Sequence, residues 1–214
     1  MITVLLSPSS VRPMTLRFSH RRLGLRALAS TAFLLGTFSS PALAQSAQKY
    51  ALQIAVLSTS INSGDGSSSI SGAGLEPQIR FNRLVSKEGF AVSLGLGAQY
   101  TRHSSGGDDL NISGAFLEPR FVPVIGSSNL FPYVSGRLAL LRQSSNFGTS
   151  SNGYAYGAGG GIVIKLSKTV NLDAGAQLVR QKFGEFVFND GDPAEFLPFT
   201  TYAAKIGLNF GFPR

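Results

Sequence analysis

The sequence predicts an all-β protein: an eight-stranded antiparallel up-and-down transmembrane β-barrel, preceded by a cleaved leader. Three observations lead there. Apolar and polar residues alternate in eight segments after Gln45, and period two marks a strand whose two faces meet different media. The connections between those segments alternate long and short. One face of the segments is continuously apolar while the other is polar and rich in Gly, the reverse of what a soluble barrel needs on its outside.

The leader comes first in the chain. Arg12, Arg17, Arg21, Arg22 and Arg26 form a basic region, 27–38 is a short apolar run, and Pro41-Ala42-Leu43-Ala44 offers a small-x-small cleavage site before Gln45. These are the parts of an export signal over 1–44, complete even from Met14. The apolar run is too short to span a bilayer as a helix, and no Cys at the junction offers a lipid anchor. The full chain has a net charge of +8, but without the leader 14 Lys+Arg stand against 11 Asp+Glu, a net of +3. Nucleic-acid binding thereby loses its electrostatic support. The absence of Cys means an exported fold that does not lean on disulfides. Residues 45–214 suit one domain.

Within that domain the alternating segments are 49–57, 74–84, 90–102, 112–122, 131–142, 154–166, 170–182 and 199–212. The odd-numbered strands are followed by long polar connections, 58–73, 103–111, 143–153 and 183–198. The even-numbered ones are followed by shorter turns, 85–89, 123–130 and 167–169. An up-and-down barrel with both termini on one side produces this pattern, with short periplasmic turns and long extracellular loops. A Greek-key sandwich has no reason to. Ser71-Gly72-Ala73-Gly74-Leu75-Glu76-Pro77 recurs as Ser113-Gly114-Ala115-Phe116-Leu117-Glu118-Pro119, as duplication of a hairpin would leave it. Pro77 and Pro119 cannot donate to a ladder, so each is expected at a bulge or irregularity.

Strand seven separates Val170, Leu172, Ala174, Ala176 and Leu178 from Asn171, Asp173, Gly175 and Gln177. The same alternation puts Glu76, Arg80, Glu118, Arg120, Arg137, Asp173 and Lys205 on the polar face. A Lys or Arg toward mid-bilayer lipid would cost about 2–4 kcal/mol, so these seven are assigned to a polar network in a side-chain-filled polar lumen. Asp173 and Lys205, on adjacent strands, are the expected pair, with Glu76 or Glu118 as the other partners for Lys205. Aromatic residues gather near strand ends. Tyr50, Phe81, Phe90, Phe121, Phe131, Tyr133, Phe210 and Phe212 are expected at the periplasmic boundary, and Tyr100, Tyr154, Tyr156, Phe199 and Tyr202 at the outer one, as in a membrane-barrel girdle.

The last strand carries a second pattern. Lys205, Gly207, Phe210 and Phe212 fall in order into the polar, Gly, apolar and aromatic slots of a C-terminal assembly signal, although Pro213 and Arg214 follow the aromatic residue. With the leader, the eight strands and the loop alternation, the whole mature chain resembles the OmpA/OmpX-like family of small eight-stranded outer-membrane barrels. The resemblance implies export through the Sec pathway, insertion by the barrel-assembly machinery and outer-membrane lipids as the surroundings. It implies no single activity.

An eight-stranded lumen is just wide enough to be filled by side chains. A structural or surface-interaction role is therefore expected rather than a wide pore, with extracellular partners, unidentified, reached through the loops and the protein a monomer. No catalytic, cofactor or metal site is assigned. Gly157-Ala158-Gly159-Gly160-Gly161 lies inside a strand without a following Lys-Ser/Thr or helix, so it reads as close packing rather than a phosphate loop. Asp190-Gly191-Asp192 reads as a solvated turn, lacking the spaced oxygen ligands of a calcium loop. His103, the single His after the leader, stands beside Ser104 and Ser105 in an expected outer loop. A solvated His fits best there, with a lipid A-modifying enzyme as one alternative function and a soluble lipocalin-like carrier as another.

Overall fold

The computed structural model of the protein describes residues 49–62, 69–87, 89–123, 129–195 and 197–212. The leader, 1–44, and Pro213-Arg214 lie outside the described residues. Eight strands close the barrel: β1 (Tyr50–Asn62), β2 (Ser69–Lys87), β3 (Phe90–Ser105), β4 (Asp108–Pro123), β5 (Leu130–Ser145), β6 (Ser151–Lys165), β7 (Val170–Phe183) and β10 (Phe199–Gly211). Each strand pairs antiparallel with its neighbours in sequence, and β1 closes on β10. A small hairpin of β8 (Glu185–Val187) and β9 (Pro193–Glu195) sits in the connection before β10.

Register fixes the shape. Following paired residues once around, from Leu52 through Ile79, Leu96, Leu117, Leu138, Tyr156, Arg180 and Thr200, returns to β1 at Asn62. The circuit thus climbs ten residues, from 52 to 62. Such a stagger requires strands tilted by roughly 35–45° to the barrel axis. Both described ends of the chain meet at one mouth, where the Phe212 N–H donates to the Tyr50 carbonyl at 3.1 Å.

Strands run further than the alternation alone suggests. The expected loop 103–111 is almost wholly strand, and β3 turns into β4 at Gly106-Gly107, whose φ of 65° and 100° suit a tight hairpin turn. Beyond the apolar band both faces of a strand meet polar surroundings. The apolar/polar contrast that marks a strand in sequence fades there, while the ladder continues. Of the expected long loop 183–198, part folds as β8–β9 and packs on the β5–β6 connection. Thr149 N–H donates to the Val187 carbonyl at 2.8 Å, Asn189 Nδ2 to that of Asn146 at 3.0 Å, and Phe186 and Phe188 meet edge to face at 4.8 Å. The two prolines also differ from expectation. Register is unchanged across Pro77, with Leu75 opposite Tyr100 and Gln78 opposite Gly97, and across Pro119. Each proline is exposed on the outer face, and the only loss is the ladder on one side. The register shift in β2 lies instead between Phe81 and Val85.

The outside is the apolar face. Leu140 is 74% exposed, Val134 61% and Leu138 58%, in company with Leu75, Ile79, Leu96, Leu178, Ile206 and Leu208. Tyr100, Tyr154, Tyr156 and Tyr202 are exposed above this band, and Tyr50, Phe121, Phe210 and Phe212 below it. Three members of the expected girdle are corrected: Phe131, Tyr133 and Phe199 are buried inside the barrel. Their parity is that of Arg137 and Lys205 on the same strands, so strand alternation overrides the tendency of aromatic residues to gather at membrane boundaries.

Candidate functional site

The site lies inside the barrel. All seven charged residues assigned by alternation are there, none more than 5% exposed, and one connected network holds them. Glu118 is its hub. Its Oε1 accepts from Arg80 Nη2 at 2.9 Å and Arg120 Nε at 2.7 Å, and its Oε2 from Lys205 Nζ at 2.7 Å and Gln177 Nε2 at 2.6 Å. Arg137 Nη1 stands 2.7 Å from Glu76 and 3.5 Å from Glu118, and Lys205 Nζ reaches Glu76 at 3.4 Å. The two copies of the repeated segment thus supply the two carboxylates that share Arg137 and Lys205.

Asp173 completes the network, but not with the expected partner. Lys205 faces Gly175, and Asp173 faces Gly207, two residues further along. Asp173 instead accepts from Arg120 Nη1 at 2.5 Å and from the Tyr133 hydroxyl at 2.8 Å. The expected Lys205–Asp173 pair is therefore replaced by Lys205 with Glu118 and Glu76. Two glycines let Tyr133 reach across. A Cβ on Gly175 would stand 2.5 Å, and one on Gly161 2.7 Å, from the phenol oxygen, closer than real contacts allow. The Gly run of β6 therefore serves packing at the wall, as its setting in a strand requires.

The polar lumen of the sequence reading covers only part of the interior. Along the same inward parity, further toward the loops, Phe116 and Ile112 follow Glu118 on β4, Ala139 and Leu141 follow Arg137 on β5, and Val179 and Phe183 follow Asp173 on β7. With Ile61, Ala155 and Phe199 they form one buried apolar cluster. Phe183 and Phe199 stack at 5.9 Å. The layers touch where the Arg137 guanidinium lies 3.8 Å from the Phe116 ring centre, and Arg120 lies likewise 4.0 Å over Tyr133, both cation–π contacts. Inside-facing parity is the signal in the sequence for this plug.

His103 is not solvated. It is 1% exposed, on the inner face of β3 beyond the tyrosine band, with Nε2 2.9 Å from Thr59 Oγ1. Burial pushes its imidazole below the ordinary value. Ser104, one residue on, faces outward and donates to Asp109, which also accepts from Arg102 at 2.7 Å. Alternation thus puts His103 and Ser104 on opposite sides of the sheet, and the two pair separately, His103 with Thr59 and Ser104 with Asp109. Asp190-Gly191-Asp192 is an exposed turn, with Gly191 at φ 93° and Asp192 N–H on Asp190 Oδ1 at 3.3 Å. In the last strand Lys205 and Gly207 point inward, whereas Phe210 and Phe212 are exposed outside.

No family model matches the chain, and none of the curated proteins matches it. Solved structures do. Neisserial surface protein A (NspA), a small outer-membrane barrel, superposes with a TM-score of 0.53 at 19% identity, covering 78% of this chain and 99% of its own. Ail of Yersinia pestis covers 78% and 99% in the same way, at 12% identity and a TM-score of 0.45. The closed antiparallel barrel, its register and the match to NspA give this chain the fold of the small eight-stranded outer-membrane β-barrels.

Proposed function

We propose that the mature chain, 45–214, is an integral outer-membrane protein with a plugged lumen, acting through its surface and loops rather than as a pore or an enzyme. One observation carries this reading: the barrel is inverted, with a band of exposed Leu, Ile and Val outside and seven Asp, Glu, Lys and Arg side chains inside. A water-surrounded barrel of the lipocalin type would be driven to the opposite arrangement, because exposing so much contiguous apolar surface is unfavourable. In lipid the same arrangement is favourable, and the ionic network then escapes the hydrocarbon. The ionic layer and the apolar plug support a lumen filled by side chains, the arrangement expected for eight strands.

Export by the Sec route follows from the leader. Insertion by the barrel-assembly machinery follows from Lys205, Gly207, Phe210 and Phe212, with the two Phe side chains presented outward for recognition. A monomer, surrounded by outer-membrane lipid and meeting extracellular partners through its loops, completes the proposal. Cell fractionation with carbonate washing tests it. The protein is expected in the washed outer-membrane fraction, and recovery in the soluble periplasm would overturn the reading. Run on Phe212→Ala, the same fractionation is expected to show normal export with a reduced folded fraction; unchanged barrel levels would remove Phe212 from the assembly signal.

A further inference from the structure

The outer wall carries a groove of about 530 Å³ within the apolar band. Its floor is Gly136 beside its register partner Ala158, and its walls are Leu138, Tyr156 and Leu178. A Cβ placed on Gly136 would meet only Pro119 Cγ, at 3.6 Å, so the depression exists because side chains are missing where room for them remains. Its end nearer the loops is closed by Arg180, the register partner of Tyr156. Lys182 follows two residues further along the same face of β7, opposite Tyr154. Both cations are exposed. In the same wet zone Arg102 is committed to Asp109 and Arg142 to Ser150, whereas Arg180 and Lys182 face outward at the level of Tyr154, Tyr156 and Tyr202 without a carboxylate in reach among the described residues.

We propose that this groove binds a net-anionic acyl lipid of the outer leaflet, of the lipid A type, with an acyl chain over Gly136 and Ala158 and a phosphomonoester on Arg180 and Lys182, a charge that zwitterionic phosphatidylcholine lacks. The proposal rests on the membrane reading above. An apolar trough explains an acyl chain, and two uncommitted cations at its interfacial end supply the charge complement that a neutral lipid would not use. A second copy of the chain is the poorer occupant, since a two-fold contact through this face would set Arg180 and Lys182 against their own copies.

The test uses the mature barrel folded in detergent, with lipid A or phosphatidylcholine added and bound lipid counted by native mass spectrometry. The heat-modifiable gel shift confirms folding of each variant. Wild type is expected to retain lipid A in preference to phosphatidylcholine. Gly136→Leu, which fills the trough from a position with room for a Cβ, is expected to lose lipid A affinity about tenfold, the effect of denying burial to part of a chain. Arg180→Gln is expected to lose about fivefold for lipid A and nothing for phosphatidylcholine. Equal retention of both lipids by wild type, unchanged lipid A binding in folded Gly136→Leu, or a dimer held through this face would each overturn the site. A wild type that stays soluble without detergent would overturn the membrane reading and the groove together, a result distinct from the other three.

Discussion

Near the chain termini the barrel interior holds four cations and three carboxylates; nearer the loops it holds Phe116, Ile112, Leu141, Val179, Phe183 and Phe199. Both layers fill the same cylinder on the same strands, yet they answer different demands. In the ionic layer each attraction is largely offset by the loss of hydration, so the intact network adds little net stability, while any one missing partner strands charge in a dry place. In the apolar layer nothing is stranded, and the effect of a truncation follows the volume removed. The ionic layer is accordingly the part expected to fix register and circumference, and the apolar layer the part that supplies packing. Arg137 on the face of Phe116 is their boundary.

The sharpest way to break this comparison is Glu118→Ala. It deprives Arg80, Arg120, Arg137 and Lys205 of a shared anion, and unfolding in detergent is expected to lose about 3–5 kcal/mol or more. A loss under about 1 kcal/mol would mean that water already solvates the layer. Phe183→Ala is next, with about 3 kcal/mol expected from cavity formation. Added salt should leave that loss unchanged, and a salt-dependent loss would blur the distinction between the layers. A double-mutant cycle then separates partners within the ionic layer. Lys205→Met with Glu118→Gln should couple by about 1–3 kcal/mol, and Lys205→Met with Asp173→Asn by much less. Equal couplings would contradict the observed pairing.

The smallest effect concerns His103, among the polar groups bordering the apolar layer. Its folded-state affinity for protons is depressed by burial, so the unfolded chain binds more protons just below its ordinary value of about 6.5. Its contribution is therefore present above that value and is lost as pH falls from there toward the lower folded value. Wild type should lose stability over that window relative to His103→Gln. Parallel pH curves would show that the imidazole is hydrated.

Alternation makes the barrel, its eight strands and the inward direction of Glu76, Arg80, Glu118, Arg120, Arg137, Asp173 and Lys205 legible in the sequence. It does so because parity is a local property of a strand and survives tilt and twist. Partners were a different matter. Whether Lys205 meets Asp173 or Glu118 depends on the ten-residue climb of the register and on reach across the lumen, neither of which is written in the spacing of residues along one strand. Phe131, Tyr133 and Phe199 share the inward parity of Arg137 and Lys205, and aromatic character near a strand end, which points to a boundary, is the weaker signal of the two. Strand extensions past the apolar band were hidden for a simpler reason: His103 and Ser104 are both polar, so the two faces there carry no hydropathy contrast.

The connectivity of the ionic layer also bears on the order of events in folding. Lys205, on the last strand, reaches Glu118 across 87 residues of sequence and Glu76 across 129, and Arg120 reaches Asp173 across 53. Contacts of such separation give nothing back until the chain ends have been brought together. An open sheet, with β10 not yet docked on β1, therefore has its carboxylates on β2 and β4 without the ammonium from β10. Closing the β1–β10 seam and neutralising the interior become one step. Run in reverse, parting that seam has to strip Lys205 from both carboxylates at once, so the barrel is expected to open rarely and all together rather than to fray strand by strand.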